Sequence, residues 1–254
     1  MADTSKGARH LVRTALAIAL IAPLLVLAGA IATRAGWVDW KTGFGVWTVD
    51  WAPKAAMVGL GAGVLAVLFA FAAPKRLLPL AVVAVLIPGL TLLGFQRFRA
   101  KAESLPPIHD VSTDWAEPLS FSDTMMKARA GAANPVEPDP VVGLMKRPAF
   151  KKWEGRRIAE INAETCPGAR PVPRLVEPEE VARVLEKNGV QVIGQAPWRV
   201  EGTHESLWYG FKDDVIVRMR PGRTDVRSVS RVGGSDLGAN CGRVTKIVQA
   251  LSGK

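Results

Sequence analysis

The sequence predicts three N-terminal transmembrane α-helices followed by an α+β domain with an antiparallel sheet and a C-terminal amphipathic helix. Three observations carry this reading. Residues 14–33, 55–73 and 77–95 are apolar runs without a charged side chain. Residues 214–220 and 225–232 alternate in polarity and are joined through Pro221-Gly222. Near the C-terminus, Leu237, Cys241, Val244, Ile247, Val248 and Leu251 recur at spacings of three and four.

Each of the three runs is about 19–20 residues long, enough to cross roughly 30 Å of hydrocarbon at about 1.5 Å rise per residue. Three in succession leave too little polar surface for a soluble fold, and the first is too long for a signal-peptide core and is followed by two more spans. Residues 1–99 are therefore a membrane region, 100–107 a polar linker and 108–254 a soluble domain. Pro74-Lys75-Arg76 makes a tight turn between the second and third spans, and Pro23, Pro79 and Pro88 are helix-kinking positions inside spans. The first loop holds Trp37, Trp40, Trp47 and Trp51 around Phe44, which reads as an interfacial aromatic belt. No ionisable group falls inside a span, so no proton or ion pathway is marked.

Net charge is +10, but its distribution argues against nucleic acid. Residues 1–99 carry ten Lys and Arg against three Asp and Glu; the rest carries 23 against 20. The basic excess thus lies beside the spans, where the lipid bilayer and its anionic headgroups are the natural partners, and the soluble part has no basic footprint. Sidedness is nearly balanced. An N-terminus-inside topology places Lys6, Arg9, Arg13, Lys75 and Arg76 inside, and Arg34, Lys41, Lys54, Arg97, Arg99 and Lys101 outside. The N-terminal cluster and the Lys-Arg turn favour this topology, which exports the C-terminal domain from a bacterial inner membrane to the periplasm.

In the soluble region, residues 106–121 read as extended chain and turns, and 120–131 as a short helix. Residues 134–140 (NPVEPDP) read as a proline-rich loop, and 151–165 as one helix stopped by Cys166-Pro167-Gly168. Glu177-Pro178-Glu179-Glu180 opens a further helix that Asn188-Gly189 ends, since acidic groups suit the positive end of the helix dipole and glycine its exit. Residues 190–194 and 198–208 are strand candidates, the second containing His204. In the hairpin, Val215, Val217 and Met219 share one face and Ile216, Arg218 and Arg220 the other. On the second strand, Val226, Ser228, Ser230 and Val232 share a face, as do Asp225, Arg227, Val229 and Arg231. Gly233-Gly234 ends the hairpin, and Ser235 or Asp236 is placed to cap the last helix. Arg243 and Lys246 lie off its apolar stripe. Helices bracketing a run of four strands predict an α+β sandwich.

The segments IHDVSTD (108–114), WYGFKDD (208–214) and DVRSVSRVGGSDLGAN (225–240) resemble, in that order, the bacterial family of domain of unknown function 1499. The resemblance spans roughly residues 105–252, and the three-span front end is similar to membrane-anchored members from Gram-negative bacteria. It implies an envelope location and brings no activity, cofactor or catalytic residue with it. The sequence departs from the family pattern at Cys166 and Cys241.

Candidate chemistry is sparse. In an oxidising compartment Cys166 and Cys241 would form a disulfide closing about 75 residues; otherwise they are two buried thiols. Their spacing with the histidines does not resemble a metal site, and no cofactor is expected. His109 beside Asp110 is read mainly as a hydrogen-bonding loop residue. Ser112, Ser228, Ser230 and Ser235 lack a nucleophile elbow. Lys212, Asp213, Asp214, Arg227 and Arg231 either pair across the strands or, with the helix start at Ser235-Asp236, frame an anion site. Asn240 faces either the hairpin or a ligand. Candidate ligand-binding residues are thus His109, Asp110, Asp114, Lys212, Asp213, Asp214, Arg227, Arg231 and Asn240. The expected function is a non-catalytic envelope binding or scaffolding module, with anionic lipid or an envelope protein as partner. The alternative is a hydrolase-like envelope enzyme acting on lipid or wall, which requires His109, Asp110, Asp114 and Arg227 to converge in one cleft.

Overall fold

The computed structural model describes residues 2–253, and for the first four of these the backbone only; Lys254, the last residue of the expected soluble domain, lies outside them. The chain divides into two units. The first comprises the residues up to Ala100 together with Leu207–Gly210, and the second comprises Lys101–Ser206 and Phe211 onward.

The first unit contains α1 (Ala2–Arg34), a π-helix (Lys41–Trp51) running into α2 (Ala52–Ala70), and α3 (Pro74–Ser104) as far as Ala100. Three helical stretches, Lys6–Arg34, Lys41–Ala70 and Pro74–Ser104, are long and apolar enough to cross a membrane, as read from the sequence. The protein is a membrane protein. Two expectations are corrected. The tryptophan-rich first loop is mostly helical: wide turns, marked by Ala52 N–H donating to Trp47 O five residues back, continue the second span. Residues 101–104, expected in the linker, belong to α3.

The helices meet through small residues. Ala15, Ala19, Ala66, Ala70, Ala81 and Ala84 are buried together. A Cβ on Gly63 would lie 2.5 Å from Ala84 O, and one on Gly29 2.4 Å from Gly43 O. Backbones that approach this closely gain dispersion contact that lipid tails cannot replace. Within the same unit, Tyr209 and Thr48 share a hydroxyl hydrogen bond of 2.8 Å.

The second unit is built on one antiparallel sheet of order β1-β5-β4-β3-β2. Its strands are β1 (Asp110–Ser112), β2 (Val190–Ala196), β3 (Arg199–Glu205), β4 (Lys212–Arg220) and β5 (Arg223–Ser230). The sequence reading lacked β1; the sheet has five strands, not four. The hairpin turns through Pro221 and Gly222, whose φ of +72° is open to glycine. Cross-strand partners share a face, and register assigns every side chain. Val111, Val200, Val215, Val217, Met219 and Val226 form one face of the core. On it pack α5 (Ile158–Thr165), α6 (Pro178–Lys187) and α7 (Ala239–Leu251) through Ile161, Leu185, Val244, Ile247 and Leu251. The opposite face carries Ile216 and Val229, covered by Leu119, Phe121 and Met125; Met125 lies in α4 (Asp123–Ala128).

Three local differences have physical causes. The single helix expected over 151–165 is a 3₁₀ turn (Pro148–Trp153) and α5, separated at Gly155, whose φ is +75°. α6 ends at Asn188-Gly189 as read, with Gly189 at φ +73°. α7 begins later than expected. Its N-cap is Gly238 at φ +81°, and Asp236 reaches forward, accepting from Gly238 N at 2.8 Å and Asn240 N at 3.0 Å. Cys166, at the end of α5, and Cys241, in α7, form a disulfide with Cα atoms 5.8 Å apart, inside the bridging range.

Candidate functional site

The motif residues sort into buried ion-pair nodes on the two faces of the sheet. On the β1–β5 edge, Asp110 and Arg227 pair across neighbouring strands. Arg227 Nε and Nη2 donate to the two Asp110 oxygens at 3.0 and 2.6 Å, a fork-on-carboxylate geometry. The remaining donors reach Leu119 O and Glu137 O, and the Trp115 ring stacks 5.1 Å from the guanidinium. Both partners are about 1% exposed, so neither can meet a ligand without the fold opening.

On the same face, Asp214 is fully buried between two arginines. Arg231 donates to both of its oxygens at 2.8 and 2.9 Å, and Arg129, from the end of α4, donates at 2.5 Å. Burial pushes the Asp214 carboxyl up, but hydrogen bonds from Arg231 and Thr203 and both positive charges outweigh it and hold it below the usual range. Sequence reasoning missed Arg129, whose partner lies 85 residues away. Towards the hairpin turn, Asp114 meets Arg218, Arg220 and Arg223 at 2.9–3.2 Å, with Asp225 alongside. Burial raises the Asp114 carboxyl, but the Glu117 and Ala116 N–H groups and the charges of Arg223 and Arg218 carry it below its ordinary value.

Beneath the first turns of α7, on the opposite face, lies a polar node within the core. Asn240 is fully buried with its side chain used throughout. It donates to His109 O at 3.0 Å and Ser230 Oγ at 2.9 Å, and accepts from Ser228 Oγ at 2.6 Å and Arg243 Nη1 at 2.7 Å. Asn240 thus faces the hairpin. Arg243, expected on the polar side of α7, is 9% exposed and is corrected to a core position. Its Nη2 donates to Asp213 Oδ2 at 2.8 Å and His204 Nδ1 at 3.0 Å. Arginine only donates, so Nδ1 is the acceptor and the His204 proton sits on Nε2. Burial, then the Arg243 charge, lowers the His204 pKa, which keeps the ring neutral near pH 7. Burial pushes the adjacent Asp236 carboxyl up to about 6.

The remaining candidates stand apart. His109 bonds through its backbone, its O accepting from Ser230 N at 2.9 Å, and burial lowers the pKa of its ring. Lys212 is exposed, 3.9 Å from Glu205. Asp114 belongs to a different charge cluster from Asp110 and Arg227, so the four residues that the enzyme alternative needs in one cleft are not assembled there. The anion site framed by Arg227, Arg231 and the α7 start does not form either: those arginines lie on the face opposite Ser228 and Ser230, which contact α7. Ser228 is fully buried and its hydroxyl meets Asn240 and Arg243 rather than a histidine base. Among the described residues no three His, Cys, Asp or Glu side chains group as metal ligands.

An open cleft of about 450 Å³ lies above this node. It is lined by Lys187 and Asn188 from the end of α6, His204 from β3, and Gly238, Ala239, Gly242, Arg243 and Lys246 from the start of α7. Among the described residues no carboxylate lines it. From the sequence none of these residues is marked as part of a binding site: Asn188 reads as a helix end, His204 as a strand residue, and Arg243 and Lys246 as positions off the apolar stripe.

No curated protein and no solved structure matches the chain. A model of the family described as a protein of unknown function (DUF1499) matches residues 110–251, from the first residue of β1 to the last of α7. That match covers more than half of the sequence and takes in the whole sheet and every ion-pair node on it. The chain belongs to the DUF1499 family.

Proposed function

We propose that this protein is an inner-membrane-anchored component of a bacterial cell envelope, whose α+β domain lies in the periplasm and acts as a non-catalytic binding or scaffolding module. One observation carries the reading: the acids and bases that would do chemistry hold one another inside the domain. Asp110 is held by Arg227, Asp214 by Arg129 and Arg231, and Asp213 by Arg243. A general base or nucleophile has to reach the reacting atom within a hydrogen-bond length. Carboxylates at 0–8% exposure that are already paired with arginine do not. The Cys166–Cys241 disulfide supports an oxidising compartment, and the charge of the N-terminal segment and of the Lys75-Arg76 turn supports the same sidedness.

Sidedness is tested by fusing alkaline phosphatase after Lys254, with a cytoplasmic fluorescent reporter as the reciprocal. High phosphatase activity without fluorescence is expected; fluorescence alone overturns the export. The non-catalytic reading is tested by screening the full chain against ester and phosphoester substrates. Turnover that disappears in His109→Ala or Asp213→Asn would restore the enzyme alternative, with a lipid or wall substrate.

A further inference from the structure

We propose that the cleft between the end of α6, β3 and the start of α7 binds a phosphate-bearing anion, gripped by Lys187 and Lys246 above a floor of His204 and Arg243. This deepens the binding-module reading and rests on it.

What distinguishes this cleft is that two lysines unpaired among the described residues line one concavity beside a buried, fixed arginine. Arg243 is balanced by Asp213 behind it, and its position is fixed by Asn240 and Ser228. Lys187 and Lys246 are exposed and have no ion-pair partner among the described residues. Two uncompensated ammonium groups therefore face one concavity with no carboxylate among the described residues of its lining. That arrangement raises the local concentration of a compact dianion and leaves its recognition to direct hydrogen bonds. His204 supplies one such donor. Its Nδ1 is occupied by Arg243, so Nε2–H is the outward donor, and it has no partner among the described residues.

A second feature points the same way. Gly242 lies inside α7, where glycine is the least favourable residue apart from proline. No packing requires it: a Cβ there would meet nothing within 4 Å. Gly242 lines the cleft, and with Gly238 and Ala239 it keeps that wall low enough for a ligand to approach the helix backbone. A phosphate group matches two point charges and several donors within so small a space. It could arrive as free phosphate or as the headgroup of a lipid.

The test uses the full chain in phosphatidylcholine nanodiscs. It is titrated calorimetrically at fixed ionic strength with inorganic phosphate and, separately, with dihexanoyl phosphatidic acid. Saturable binding is expected. It should weaken by at least about tenfold, the effect of losing one charge-assisted hydrogen bond, in Lys187→Ala/Lys246→Ala and in Gly242→Leu. Lys146→Ala/Arg147→Ala removes the same charge elsewhere and should leave binding unchanged. Equal binding of both probes identifies the phosphate group alone as the ligand. Binding of the phosphatidic acid at least about tenfold tighter identifies a lipid headgroup. Saturation by neither probe, or saturation that survives both cleft variants, overturns the proposal. Release of phosphate from the lipid probe with binding intact would instead overturn the non-catalytic reading and leave the site standing.

Discussion

Breaking the Cys166–Cys241 link should destabilise the second unit by a predictable amount. The link joins the end of α5 to the first turns of α7 across a sequence separation of 75. In the chain-entropy account, closing a loop of that size removes about 15 cal/mol/K from the unfolded chain, or roughly 4.5 kcal/mol at 25 °C. For a domain of this size the loss lowers the melting temperature on the order of 10–15 °C. The native contact around it should survive: Gly168 packs so closely on Thr245 that a Cβ would lie 2.4 Å from its hydroxyl, and Cys166 itself is 2% exposed. Cys166→Ala/Cys241→Ala, compared with wild type with and without dithiothreitol, should therefore melt earlier while keeping its helix and strand content. Each single variant should lose about as much as the double, because either one opens the loop. Thermal unfolding of the full chain in detergent by circular dichroism measures this. Single-variant losses that add up to the double, or a melting temperature insensitive to reductant, would refute the cross-link and leave two packed thiols.

Three further outcomes follow from the buried charges and the sheet. Arg227→Ala leaves the Asp110 carboxylate buried without its fork and should cost about 3–5 kcal/mol in urea unfolding, whereas Arg227→Met/Asp110→Leu should recover much of it; a loss no larger than that of the exposed Arg183→Ala would mean the pair contributes nothing. Gly202→Ala places a Cβ 2.4 Å from Gln191 O, so β2 and β3 must separate, and a loss of about 1–3 kcal/mol is expected in the same assay; unchanged stability would show that the β2–β3 pairing there yields freely. Asp236 holds its proton to about pH 6 in the folded state and to about 3.8 when unfolded. Its contribution to stability is therefore complete at low pH and falls by about 3 kcal/mol as pH rises from 4 to 6. Asp236→Asn should remove that fall, and parallel stability–pH curves for the two proteins would contradict it.

The hairpin was legible because period two over seven or more residues assigns faces without tertiary knowledge, and both assigned faces are those found. The spans were legible because length and absence of charge suffice. β1 was not: three residues carry no period, and Asp110–Ser112 is a strand only because β5 offers it an edge. The break at Gly155 rests on one backbone angle inside an otherwise helical pattern. Arg243 was misplaced because an apolar stripe counts only apolar burial; it is buried by meeting Ser228, Asp213 and Asn240, which come from three separate elements. The cleft is harder still, since its lysines look like any solvated pair until α6 and α7 bring them to one hollow.

The sheet therefore sorts its ionic groups into two populations with different consequences. Replacing a buried ion pair by apolar residues is often neutral or stabilising, so pairs such as Asp110–Arg227 and Asp214–Arg231 are weak evidence for stability as such. Their geometry suggests register as what they contribute. A one-residue slip of β5 against β4 would turn Arg227 and Arg231 onto the apolar face and Ser228 and Ser230 onto the charged one, taking Arg227 from Asp110 and Arg231 from Asp214. Arg243 extends that control to α7, since the helix can dock only where its guanidinium finds Asp213 and His204. A helix located in this way holds Gly242 and Lys246 opposite Lys187 and His204 with little freedom. The buried charges thereby position the cleft and the two exposed lysines at its rim.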